Sequence, residues 1–171
     1  MMEDLCDRTI QLLDRQISDP AFERFCLELG EAAQFEDVGE SFISKSFEQG
    51  ITLHFVRSGR CSQIVFHLAT ASTQSGAVRP YFGRLPYGVV HTDSRTEVAQ
   101  KLGAASVESR LLRDSGDQID RYSLPQMRLS FWFGDDGKCL EMVSILSHKM
   151  DRFHDETPFH QPVVPPEPSA A

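Results

Sequence analysis

Residues 51–68, ITLHFVRSGRCSQIVFHL, decide the fold of this chain because they contain two alternating segments separated by a turn. Ser58-Gly59 is the turn, and polar or smaller residues separate the large apolar ones on either side of it. The large apolar positions are Ile51, Leu53, Phe55, Ile64, Phe66 and Leu68. Alternation with a period of two is typical of a strand with one buried face. The stretch therefore predicts a β-hairpin.

The segment before this hairpin predicts a helix. Asp19-Pro20 is a typical start, because Asp accepts hydrogen bonds from free amides and Pro suits the first helical position. An apolar stripe follows, and Gly30 predicts the end. The stripe consists of Phe22, Phe25, Cys26 and Leu29. Residues 3–17 place apolar residues at helical spacing and predict an earlier amphipathic helix.

The same order of elements returns in the second half of the chain. Residues 94–97, SRTE, form a capping box at the start of a helix that ends at Leu102-Gly103. A loop of about twenty residues follows, then an alternating strand that contains Phe131 and Phe133. Asp135-Asp136-Gly137 predicts a turn before a last apolar strand. This recurrence indicates duplication of one unit; the alternative is coincidence, because helix–loop–hairpin is a common order of elements.

These patterns predict an α+β fold. Two tandem helix–loop–β-hairpin units would form an antiparallel sheet with helices packed on one face, preceded by an N-terminal helix. The predicted boundaries are an N-terminal helix at 1–18, a first unit at 19–69, a linker and connecting strand at 70–91, a second unit at 92–150 and a proline-rich flexible tail at 151–171.

Composition and charge limit the classes of ligand and the cellular compartment that we expect for this chain. The chain has 171 residues and a formal net charge of −8, which argues against nucleic acid as a direct ligand and permits attraction to a basic protein. Solubility alone is the simpler explanation of this acidity. The amino terminus has no apolar signal region, and no apolar run reaches the roughly 18 residues of a membrane span. The four cysteines form no CxxC pair, which favours a reducing compartment. We expect a cytoplasmic protein that contacts no membrane.

No pattern in the sequence supports a named reaction. The sequence lacks a glycine-rich phosphate loop, a GxSxG elbow and an HExxH motif. His148, His154 and His160 lie near acidic residues, but that segment adjoins the proline-rich tail, and a metal site needs a rigid scaffold. We therefore expect no enzyme activity, no cofactor and no metal.

Trp132 is the most informative single residue. If Phe131 and Phe133 point into the core, alternation sends Trp132 to the opposite face of the sheet. That face would also carry Arg128, His54 and His67. Trp and Arg are frequent anchors of protein interfaces. Two alternatives stay open: Trp132 packs under the N-terminal helix, or the assignment of faces is inverted.

Three segments together carry a family resemblance: 25–68, 81–103 and 120–145. Its strongest piece is LPYGVVHTDSRTEVAQKLG, residues 85–103. The chain resembles bacterial immunity proteins of polymorphic and type VI secretion toxin systems. Its units resemble the helix-plus-sheet module of the β-lactamase-inhibitor-protein-like fold, which small outer-membrane assembly lipoproteins also contain. This chain has no lipobox cysteine, and Ala104-Ala105 stand where the family often has Pro.

The resemblance implies an immunity protein that binds and neutralises a cognate toxin by occluding it, acting as a monomer or a weak homodimer. The toxin is expected to be basic, for example a nuclease. We predict sheet-face contacts at Trp132, Arg128, His54 and His67, with rim charges at Asp114, Asp117, Asp135 and Asp136. The alternatives are an effector-loading chaperone or adaptor and, from a third class, an enzyme or small-ligand carrier that uses the concavity of the sheet.

Overall fold

The computed structural model describes residues 4–37, 42–73, 76–103, 108–111, 116–125, 127–134 and 137–149. Strands make up most of its regular structure. The elements are α1 (Leu5–Ile10), α2 (Pro20–Glu28), β1 (Glu36–Asp37), β2 (Phe42–Phe47), β3 (Ile51–Val56), β4 (Cys61–His67), β5 (Ala71–Thr73), β6 (Gly76–Val78), a 3-10 helix (Pro86–Gly88), α3 (Arg95–Leu102), β7 (Glu108–Leu111), β8 (Gln118–Ser123), β9 (Arg128–Gly134) and β10 (Cys139–Leu146).

Eight of the strands form one antiparallel sheet in the order β1-β2-β3-β4-β10-β9-β8-β7. The centre of the sheet is the pairing of β4 with β10, in which Val65 lies opposite Ser144. β1 and β7 are the two edges, while β5 and β6 form a separate small hairpin. Each half of the large sheet is therefore a run of four consecutive strands.

The predicted fold class is wrong. The molecule is dominated by the eight-stranded sheet, whereas the three α-helices described have only six, nine and eight residues. The prediction missed β1, β7 and β8, which lie in segments that it assigned to loops, and of β2 the sequence indicated only Phe47, as an extension of β3 or as part of an earlier strand. β8 has the loop-like sequence QIDRYS, yet Asp120 and Arg121 are buried because they pair with Arg95 and Glu108.

The N-terminal segment is also less helical than its pattern predicted. Helix α1 ends at Ile10, and the chain then turns through Asp14, whose φ of 67° is left-handed. Beyond this turn the backbone joins the start of β4, since Cys61 N donates to Arg15 O over 2.8 Å and Asp14 N donates to Cys61 O over 2.9 Å. The segment is thus held to the sheet by backbone hydrogen bonds.

One hydrophobic core lies on one face of the sheet. It is formed by alternate residues of β3, β4, β9 and β10 together with side chains from α2 and α3. Phe22 of α2 contacts Phe55 edge to face, with ring centroids 5.0 Å apart, and Phe25 contacts Phe47 at 5.3 Å. In the described part of the chain, no helix has both the length and the hydropathy to cross a bilayer.

Candidate functional site

The face of the sheet opposite the core carries the four residues predicted as sheet contacts. Register places His67 opposite Met142, and Met142 opposite Trp132, so these side chains share one face. We define the polar face by Thr52, His54, Gln63, His67, Arg128, Ser130, Trp132 and Ser144.

Most of the polar face is buried. The exposed fractions of His54, Arg128 and Trp132 are 7%, 9% and 9%, while His67 is half-buried. His54 is therefore not exposed to solvent. The predicted rim residue Asp117 is half-buried just before β8. The other three rim residues, Asp114, Asp135 and Asp136, lie outside the described residues. The role of all eight in partner binding stays a prediction.

Hydrogen bonds tie the polar face together across strands. Thr52 Oγ1 lies 3.0 Å from Ser46 Oγ and 2.9 Å from His67 Nε2, and so links β2, β3 and β4. Gln63 Nε2 donates to Ser144 Oγ over 2.6 Å, across the central pair of strands. Buried polar groups need such partners, because losing water without replacement costs free energy. These side chains therefore link neighbouring strands of the sheet to one another.

A hydroxyl close to an imidazole is one part of a nucleophilic catalytic site, and Thr52 with His67 has that spacing. Catalysis also requires that a substrate reach the hydroxyl. Thr52 is only 4% exposed and is hydrogen-bonded to Ser46. The pair is better explained as part of the sheet network.

The buried cysteines are poor nucleophiles. Burial, reinforced by the charges of Asp7 and Asp4, raises the pKa of Cys6 to about 12. Burial likewise raises the pKa of Cys61 to about 12 and raises that of Cys26. Because the thiolate is the reactive form, these thiols are inert at neutral pH. Among the residues that the structure describes, no three His, Cys, Asp or Glu side chains cluster as a metal site.

A groove of about 450 Å³ lies beside β1 and β2, lined by Gln34, Phe35, Glu36, Lys45 and Ser46. Its one cationic lining group, Lys45 Nζ, lies 2.9 Å from Glu31 Oε2 and 5.1 Å from the centre of the Phe47 ring. That charge is already compensated within the chain. The groove therefore gives little support to binding of an anionic small ligand.

Exposed apolar residues are concentrated elsewhere, in the stretch YFGRLPYGVVHTD at 81–93, which we call the 81–93 loop. Phe82 is 75% exposed, Val90 43% and Tyr87 40%. They are three of the five large apolar side chains exposed among the described residues. Phe82 also contacts the ring of His91, edge to face at 6.0 Å. Such a concentration of exposed apolar residues is typical of an interaction surface.

Buried side chains of the same loop fix it to the body of the protein. Tyr81, Leu85 and Val89 are all buried, and the ring of Tyr81 lies 4.8 Å from that of Phe66 in β4. Tyr81 Oη donates to the carbonyl oxygen of Arg84 over 3.0 Å, which fixes the first turn of the loop. Buried and exposed residues thus intermingle along it.

Polar contacts hold the other end of the 81–93 loop against α3. The carboxylate of Asp93 is buried and accepts a hydrogen bond from Val90 N over 2.8 Å. Lys101 Nζ from α3 lies 2.7 Å from Asp93 Oδ2 and donates to Gly88 O over 3.0 Å. Tyr87 has a φ of 60°, a left-handed conformation that costs a non-glycine residue about 1 kcal/mol. These contacts hold that conformation in place.

The sequence prediction did not include Phe82, Tyr87 or Val90 among the site residues. It assigned 70–91 to a linker and connecting strand, because residues 70–80 are small and polar and include glycine and proline. The available signal was the density of aromatic and aliphatic residues within the turn-rich stretch, which is unusual for a solvated linker.

No protein-family model matches the sequence, and neither does any curated protein. Among solved structures, the chain is similar to an extracellular protein containing an SCP domain from Bacillus anthracis. The identity is 11% and the TM-score 0.53, over 86% of this chain and 48% of that one. This chain thus spans about half the length of that protein, and the likeness concerns the fold alone.

A DUF4309 family protein, YjgB, from Bacillus subtilis has a TM-score of 0.40 and 14% identity to the chain, over 66% of this chain and 68% of that one.

Proposed function

We propose that this chain is a cytoplasmic immunity protein that docks a bacterial toxin through the 81–93 loop and neutralises it by covering its working surface. The observation that carries the docking step is the exposure of Phe82, 75%, on a loop whose neighbouring residues Tyr81 and Leu85 are buried. The choice of a toxin as partner rests on the resemblance of the sequence to immunity proteins, which is strongest over residues 85–103.

The loop has the two properties that tight docking requires. Exposed aromatic side chains bury a large apolar area on contact and are frequent energetic centres of interfaces. The bonds from Lys101 and Asp93 fix the backbone before the partner arrives, so less conformational entropy is lost on binding. A surface that is both apolar and fixed favours a folded partner of matching shape.

The charge of the chain favours a basic partner. A net charge of −8 attracts a positively charged protein over distances of the order of the Debye length, about 8–10 Å in physiological salt. Such attraction mainly raises the rate of encounter. Rapid encounter is useful for neutralising a toxin, and a basic nuclease would fit this charge.

The test is co-expression with the toxin-domain protein encoded beside the gene for this chain. We expect a stable complex, loss of the toxin's activity and restored growth. Phe82→Ala combined with Tyr87→Ala should weaken the complex at least a hundredfold, because each truncation of an aromatic anchor costs about 2 kcal/mol or more. Leu27→Ala is the matched control, since Leu27 is 68% exposed but lies on α2.

Three outcomes would contradict parts of the proposal. Absence of a complex would remove the immunity function. A complex in which the toxin keeps its activity would indicate an effector-loading chaperone or adaptor. A complex equally tight for wild type and the Phe82/Tyr87 variant would place the contact on another surface.

A further inference from the structure

Strand β7 forms one edge of the large sheet and pairs only with β8 in the described part of the chain. All four of its residues are exposed, and Leu111 is 58% exposed. The outer side of such a strand carries backbone N–H and C=O groups that can template a further strand. The opposite edge, β1, has only two residues. β7 is therefore the edge better suited to pairing with another chain.

Side chains below β7 keep this edge in position. Ser109 Oγ donates to Asp120, and it accepts from Arg95 over 3.0 Å and from Gln118 over 2.9 Å. On the other face of the strand, Glu108 Oε1 lies 2.9 Å from Arg121 Nη1. The strand is thus fixed from both faces although its own residues are exposed. An edge held in this way loses little conformational entropy when a second strand is added.

We propose that two copies of this chain pair through β7, antiparallel and about a two-fold axis at Ser109, joining two eight-stranded sheets into one. The proposal concerns self-association and is independent of the proposed immunity function. An isologous contact of this kind closes after two copies, so it gives a dimer rather than a filament.

Backbone geometry limits the possible registers. Alternate residues of an edge strand point their N–H and C=O groups outward, and in an antiparallel pair outward-pointing residues must lie opposite one another. A two-fold axis must therefore pass through a residue of β7 and not between two residues. Within β7 the choice is then among four positions, Glu108, Ser109, Arg110 and Leu111.

Charge favours Ser109, because it is the one of the four positions at which charged residues of β7 lie opposite residues of β7 with the opposite charge; an axis at Leu111 would pair no two charged residues of β7. With the axis there, Glu108 of one protomer lies directly opposite Arg110 of its partner on the same face, and the pair occurs twice. An axis at Glu108 would place two carboxylates opposite each other, and an axis at Arg110 two guanidinium groups. Opposite charges across a strand pair are stabilising, whereas like charges are destabilising. Among the residues that the structure describes, none forms an ion pair with Arg110, so no described contact competes with a second copy for its charge.

Sedimentation equilibrium over a concentration series tests the proposal. We expect the average mass of the wild type to rise from 19.3 kDa toward twice that value. Arg110→Glu replaces two attractive pairs by two repulsive ones and should weaken dimerisation about tenfold or more. Raising the salt concentration to 0.5 M should weaken the wild-type dimer as well. Arg24→Glu is the control, because Arg24 is an exposed arginine on α2.

Mixing two variants makes the test specific for register. Arg110→Glu and Glu108→Lys each bring like charges together in a homodimer, but in the mixed dimer both cross-strand pairs are again opposite in charge. We expect the mixture to form a heterodimer that neither variant forms alone. A circular-dichroism melt checks that Glu108→Lys, which loses its contact to Arg121, still folds; if it does not, Arg110→Glu and its control decide alone.

The proposal is overturned if the wild type stays at the monomer mass throughout the series. It is also overturned if Arg110→Glu dimerises as strongly as Arg24→Glu, because the contact would then not involve β7. If both variants fold and their mixture forms no heterodimer, the axis at Ser109 is excluded.

Discussion

The two halves of the sheet hold their helices by different forces. In the first half, α2 lies against β2 and β3 through two edge-to-face ring contacts, of which Phe22 with Phe55 is the closer at 5.0 Å. In the second half, α3 contributes Val98 and Leu102 to the core and is linked to β8 by an ion pair between Arg95 and Asp120. The first attachment is apolar and the second is partly ionic.

This difference affects both the stability of the halves and the candidate site. Apolar attachment depends on buried area and is little affected by salt, whereas ionic attachment depends on geometry, burial and screening. α3 also carries Lys101, which holds the 81–93 loop. The helix that supports the proposed docking surface is thus the one attached partly by charge.

The largest effect is expected for the apolar attachment. Phe22→Ala removes a side chain that is 1% exposed and should lower the free energy of unfolding by about 3–5 kcal/mol. Leu27→Ala on the same helix is the control, because Leu27 is 68% exposed and such changes stay within about 0.5 kcal/mol. Urea unfolding measures both. A loss below about 1 kcal/mol for Phe22→Ala would mean that the ring contacts do not hold α2.

A smaller effect is expected for the ionic attachment. Arg95→Met leaves the Asp120 carboxylate, 5% exposed, without its guanidinium partner. Breaking a buried pair costs about 3–5 kcal/mol, but Arg95 is itself 42% exposed, so we expect about 2 kcal/mol. Arg79→Met is the matched control, since Arg79 and Glu48 form a pair that is 79% and 64% exposed.

Salt dependence separates the two attachments. The difference in unfolding free energy between wild type and Arg95→Met should shrink when urea unfolding is repeated in 0.5 M salt, whereas the Phe22→Ala difference should stay constant. Equal behaviour of the two variants in salt would remove the distinction between the halves.

The contrast between apolar and ionic contacts also explains which strands could be predicted from the sequence and which could not. β3 and β4 can be predicted from the sequence for two reasons. Ile51, Leu53 and Phe55 occupy every second position of β3, and Gly59, with a φ of 88°, occupies the turn. β8 cannot be predicted from the sequence, because two of its buried residues, Asp120 and Arg121, are charged. Their partners, Arg95 and Glu108, are 25 and 13 residues away in sequence, and only the folded chain brings them together.

The candidate site could also be predicted only in part from the sequence. Alternation alone puts Trp132 and His54 on the face opposite Phe131, which is where the structure has them. Alternation does not show whether other parts of the protein cover a face of the sheet. In the structure, the side chains of Trp132 and His54 are both buried. Phe82 is the opposite case: its surroundings suggest a flexible linker, yet the loop is fixed by contacts to β4 and α3.

The smallest effect should be common to both halves and concerns pH. A hydrogen bond from Ala21 N, together with Arg15, lowers the pKa of Asp19 at the start of α2. Hydrogen bonds from the backbone and side chain of Ser94 lower the pKa of Glu97 at the start of α3. A carboxyl with a lowered folded-state pKa stabilises the protein above its unfolded pKa, here 3.8 for Asp and 4.5 for Glu, and that contribution is lost as pH falls through the folded value.

Asp19→Asn and Glu97→Gln retain hydrogen-bonding groups at the helix starts but cannot ionise. Each variant should therefore be less stable than wild type at pH 7. The difference should be smaller at pH 3, because pH 3 lies below the unfolded-state pKa of both carboxyls and part of their contribution is then lost. Urea unfolding at the two pH values measures this change. Glu97 is exposed and Asp19 is half-buried, but both carboxyls accept hydrogen bonds at a helix start, so the two halves should respond alike. A response confined to Glu97→Gln would mean that the ionic character of the second half extends to the start of its helix.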